Sequence, residues 1–131
     1  MELLSVTLSS AAAAAILNIW LMLRVGAVRQ AEKISVGDED NENLIRRMRA
    51  QANFVENAPF VLILIAAVEL SGRGDPWLAW VAGAFIIGRV AHAFGMDGGS
   101  MQIGRMIGTL VSMLTLLGLG VVAALISAGV M

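Results

Sequence analysis

Within RRMRAQANFVENAPF, residues 46–60, three polar side chains stand at a telling spacing: Arg49, Asn53 and Glu56, at i, i+4 and i+7. A helix carries all three on one face, with Arg46 one turn earlier on the same face. GRVAHAFG places Arg89 and His92 three residues apart, and QIGRMIG carries Arg105. Every one of these groups lies inside or at the edge of an apolar run. Ionisable groups are costly there, so each marks a functional-site hypothesis whose partners must be named. Such a face can pair charges between helices or hold a polar ligand.

The elements that position these residues follow from composition. The chain has 131 residues, of which 58% are hydrophobic, and a mean hydropathy of +0.80. A soluble domain is about 45–50% apolar, and a core this small cannot hide the excess, so a bilayer must cover it. With no cysteine there is no disulfide framework, thiolate metal site or cysteine nucleophile. The net charge of −1 says nothing about nucleic acid, but there is no basic stripe or aromatic platform, so no nucleic acid is expected as a partner.

The fold class is an all-α membrane protein, a four-transmembrane-helix bundle. Residues 1–131 form a single domain with helices over about 3–24, 46–70, 76–96 and 101–129, each near the roughly 20 residues a span requires. Leu3 to Leu23 contains no charge. Its start carries Glu2 in place of a basic n-region, and the apolar run is too long for a signal peptide. SGRGDP and MDGGS are tight turns by their Gly and Pro content. Arg24, Arg29, Lys33, Arg46, Arg47 and Arg49 surround the first loop, Arg89 and Arg105 approach the same side, and Arg73 alone lies opposite. The positive-inside rule then puts this side in the cytosol and both termini across the membrane. Pro59 frees the carbonyl of Val55, a local kink better tolerated against protein or water than against lipid.

Each singled-out residue also has a plainer reading. Arg46 and Arg47 suit interface anchors. Glu56 and Arg89 could form a purely structural ion pair between the second and third helices. His92 suits a packed, hydrogen-bonded histidine, and Asn53 a simple interhelical bond. Gly104 and Gly108 have small-xxx-small spacing, and the alanines from Ala11 to Ala15 have the same packing character.

Taken together, RAQANFVENAP, then GRVAHAFG, then Arg105 resemble the MAPEG family, the membrane-associated proteins in eicosanoid and glutathione metabolism, in its bacterial type. The resemblance covers nearly the whole chain, and the R-x-x-x-N-x-x-E core with its nearby proline carries it. It implies a homotrimer that binds glutathione, as cosubstrate, between subunits near the cytosolic face of a bacterial inner membrane. Arg49 and Arg89 would then meet its carboxylates through the bidentate guanidinium fork. Asn53 and Glu56 would meet its ammonium and peptide groups, and His92 would belong to the same binding set. Arg105 matches the thiolate-stabilising arginine, and the helix dipole at its position helps it. A small hydrophobic electrophile would arrive through the lipid. No metal is implied.

Two departures open an alternative. The chain has no tyrosine, whereas relatives carry one where Asn57 stands and another near Phe94 to Met96. The GDED of the first loop also differs from the glycine-rich version of bacterial members. The resemblance therefore implies either a glutathione transferase or peroxidase, or a non-catalytic membrane protein that binds lipid or glutathione. A small four-helix multidrug exporter would need a carboxylate in the first helix, which residues 3–23 lack.

Overall fold

A computed structural model describes residues 3–99 and 102–131. Glu2, Ser100 of the MDGGS turn and Met101 at the expected start of the fourth helix lie outside the described residues. The chain forms four helices in the order α1 (Ser5–Glu32), α2 (Glu42–Leu70), α3 (Trp77–Met96) and α4 (Ile103–Ser127). All four are long and apolar enough to cross a membrane. The described residues contain no strand.

Two boundaries differ from the sequence reading. α1 continues past residue 24 to Glu32, because RVGAVRQAE contains no proline, its single Gly26 is carried within the helix, and the stop comes only at Lys33, a left-handed C-cap whose N–H donates to the Arg29 carbonyl. α2 begins four residues before Arg46. Asn41 caps it, its side chain accepting from the N–H of Leu44 at 3.0 Å. The loop between them is therefore short, and Arg29 closes it by donating to the carbonyls of Ile34 and Gly37. α2 runs unbroken through Pro59.

The first turn of α1 has no side-chain cap of its own. Its exposed N–H groups are met from α2: Glu69 accepts from the backbone of Val6 and Thr7 and from the Thr7 hydroxyl, each at 2.8 Å. A carboxylate at a helix N-terminus is favoured by the dipole as well as by the bonds. At the opposite end, Arg24 of α1 lies over the rings of Trp20 and Phe94, 4.9 and 5.2 Å from their centroids, and the two rings are themselves in contact with centroids 5.4 Å apart. Its guanidinium pairs with Asp97. Arg47 of α2 reaches the same carboxylate and donates to the Arg24 carbonyl. Arg46 donates to the Met96 carbonyl and pairs with Glu42. These arginines are thus tied to the α3–α4 turn as well as standing at the interface.

Between the ends, α3 and α4 pack backbone to backbone. A Cβ on Gly108 would meet the Gly88 carbonyl oxygen and His92 Cβ at 2.4 Å, and one on Gly104 would meet the Ala91 carbonyl oxygen at 2.4 Å. A Cβ on Gly95 would lie 2.0 Å from the backbone nitrogen of Arg105. Packing of this kind lets helices associate in lipid, where no hydrophobic drive separates helix from solvent. The remaining core is apolar, with Leu21, Val61, Ile65, Leu78 and Phe85 buried. Gly95→Ala should lower stability by about 1–3 kcal/mol, the usual cost of overpacking, whereas Gly118→Ala, which meets open space, should not. Thermal unfolding of both variants in one detergent checks this, and equal melting temperatures would contradict it.

Candidate functional site

The polar residues of the sequence fall into two groups, one inside the subunit and one on its surface. Arg89 is the centre of the first. It is only 2% exposed, yet no acid lies within salt-bridge distance among the described residues. It donates instead from Nη2 to Asn53 Oδ1 of α2 at 2.7 Å and from Nη1 to Ser112 Oγ of α4 at 2.9 Å. Its Nε is buried without a partner. One cation of α3 therefore joins three helices through neutral acceptors.

His92 is buried one turn further along α3, with Nδ1 3.4 Å from Arg89 Nη2. A guanidinium has only donors, so Nδ1 must be the accepting nitrogen and Nε2 carries the proton. Asn57 turns back along α2 and donates to the Asn53 carbonyl at 2.7 Å, with a longer contact to Asn53 Oδ1 at 3.4 Å.

The second group faces outward. Arg49, Glu56 and Arg105 are exposed in the subunit, and none of them makes a side-chain hydrogen bond or ion pair among the described residues. The ion pair considered between Glu56 and Arg89 does not form: Asn53, three residues earlier, is the α2 group that turns inward to the guanidinium. Arg105 stands in the first turn of α4 beside Gln102, Met106 and Thr109 on a shallow groove that runs on to Met113. Every residue lining that groove comes from α4 or the residue before it. The groove has a single wall.

Arg49, Asn53 and Glu56 share one side of the continuous helix α2, as their spacing predicts, but their side chains diverge. Asn53 is half-buried and bonded inward, while its two neighbours point out. Reasoning missed Ser112, whose signal was its place four residues after Gly108 on the buried stripe Gly104, Gly108, Ser112 and Thr115. It also missed Asp97, the acid that gathers Arg24 and Arg47.

A bundle of four helices long and apolar enough to cross a membrane, with a buried arginine and, among the described residues, exposed charges without partners, has the character of an integral membrane protein with a polar site. The MAPEG family model matches residues 7–125, and the chain belongs to the MAPEG family. Membership makes it a membrane protein of glutathione or eicosanoid metabolism. Comparison with curated proteins finds none that matches.

Replacing Ser112 tests the buried centre. Ser112→Ala leaves Arg89 Nη1 without its acceptor, and a buried donor so stranded costs about 1–3 kcal/mol or more when charged. The melting temperature should fall clearly, while Ser127→Ala, at the exposed end of α4, should leave it unchanged.

Proposed function

We propose that this protein binds glutathione at the cytosolic half of the membrane, between subunits of a homotrimer, and activates its thiol toward small hydrophobic electrophiles. The observation that carries the reading is the exposure of Arg49, Glu56 and Arg105 on helices that cross lipid. Unpaired charges on a lipid-facing surface are strongly disfavoured, so these faces are covered by a neighbouring copy and by a charged ligand. Glutathione has the complementary groups, two carboxylates, an ammonium and a thiol. Arg49 suits a carboxylate, Glu56 the ammonium and Arg105 the thiolate. The one-walled groove around Arg105 is completed by the neighbouring subunit.

The free thiol has a pKa near 8.5, and only the thiolate is a good nucleophile. A guanidinium beside it in a site of low dielectric favours the anion. The sulfur then attacks the electrophilic carbon of a substrate that enters from the bilayer, and the leaving group departs with the bonding pair. A second reading, a non-catalytic binder of lipid or glutathione, is favoured by one observation: Asn57 is folded back onto Asn53 where relatives present a tyrosine hydroxyl.

Arg105→Ala should abolish most conjugation of glutathione to a chlorodinitrobenzene at neutral pH. Activity should partly return as pH rises toward about 8.5, where the thiol ionises unaided. An unaltered pH profile in the variant would remove Arg105 from this role. Absence of both turnover and a thiolate absorbance in the wild type would favour the binder. For the assembly, native mass spectrometry in mild detergent should show a trimer, and a stable monomer would contradict the coverage argument.

A further inference from the structure

The bond between Arg89 and Asn53 decides which end of the Asn53 carboxamide the ligand meets. A guanidinium can only donate, so the atom 2.7 Å from Arg89 Nη2 must be the amide oxygen. Asn57 Nδ2, also a donor, approaches that same oxygen at 3.4 Å. Both neighbours therefore hold the carbonyl inward. The opposite end, Nδ2, donates to nothing among the described residues, and it is not among their buried orphan atoms. It is left as a donor on the half-buried side of α2, between exposed Arg49 and exposed Glu56.

We propose that Arg89 is a positioning residue that does not touch the ligand but locks Asn53 with its Nδ2 toward the site, so that Asn53 binds an acceptor of glutathione, a carboxylate or peptide carbonyl, and not its ammonium. The inference rests on the glutathione reading above. Arg89, enclosed by α2, α3 and α4, cannot offer its fork to a ligand on the outer face without breaking its bonds to Asn53 and Ser112. Its charge acts through the amide instead, because a carboxamide whose oxygen accepts from a cation is a polarised donor at its nitrogen. The face then reads, from the α1–α2 loop end inward, as cation, donor and anion over about 10 Å of helix. That order fixes the polarity of the ligand, with an acidic group toward Arg49 and the ammonium toward Glu56.

Asn53→Asp tests the assignment because the two polarities predict opposite signs. The carboxylate retains the bond to Arg89 and supplies the buried cation with a counter-charge, but it has no donor left for the ligand. Calorimetric titration with glutathione should show affinity lowered by about tenfold or more, the scale of one lost hydrogen bond facing an acceptor. Titration with the analogue lacking the γ-glutamyl amine should show a similar loss, and the melting temperature should equal or exceed that of the wild type. Arg89→Met should also weaken binding by freeing the amide, and Arg89→Lys should restore part of it. If the Arg89 variants do not fold, the Asn53 variant decides alone. Undiminished or tighter glutathione binding by Asn53→Asp, or a clear fall in its melting temperature, would overturn the proposal while the glutathione reading stood. A wild type that binds no glutathione would overturn both.

Discussion

A single buried cation, Arg89, sets the terms for the centre of this bundle. Moving a charge away from water is expensive, and among the described residues no acid is near enough to offset it. The cost is met by hydrogen bonds to neutral groups on two other helices, Asn53 on α2 and Ser112 on α4. Those bonds fix the mutual rotation of α2, α3 and α4, since a turn of any one helix would carry its partner out of reach. The glycine contacts serve the same arrangement. Only without side chains at Gly88, Gly104 and Gly108 can α4 come near enough to bring Ser112 to Arg89 and to lay His92 against it.

The two ends are held by different means. At the α2–α3 turn Glu69 supplies the acceptors that the first turn of α1 lacks. At the other end Asp97 gathers Arg24 and Arg47, and Arg24 also rests against a contacting pair of aromatic rings. Exposed ion pairs alone contribute little, but this cluster combines charge, stacking and bonds to three backbone carbonyls. It holds the α3–α4 turn, and with it the backbone of Arg105, whose nitrogen lies against Gly95. The residue assigned to the thiolate is thereby anchored through its main chain while its side chain stays free to meet a ligand.

The outward charges give the molecule its incompleteness. Arg49, Glu56 and Arg105 find no side-chain partner among the described residues, and the groove beside Arg105 has a single wall. A fold that engages Arg89 within itself through Asn53 and Ser112, and leaves charges exposed at its surface, suits a site finished by assembly. In the proposed reading the inner network orients Asn53 and the outer face receives the ligand.

Much of this was legible in the sequence, and the reason is periodicity. Long apolar runs broken by SGRGDP and the charged first loop determined four spans, and the 3.6-residue repeat brought Arg49, Asn53 and Glu56 to neighbouring positions on α2. The motif order from Asn53 through Arg89 to Arg105 determined the family. Helix ends were less legible: α1 ran on through Gly26 to Glu32 because no proline stops it before the left-handed Lys33, and Asn41 started α2 through a cap bond that hydropathy does not register. Which partner each polar group takes was decided only by tertiary structure. Glu56 and Asn53 lie three residues apart, and charge alone favoured Glu56 as the partner of Arg89. A hydrogen bond, however, requires an acceptor within about 3 Å and in line, and the rotation of α2 against α3 gave that place to Asn53. Ser112 could not be paired from spacing at all, because its bond to Arg89 spans 23 residues and depends on glycines that let two backbones touch.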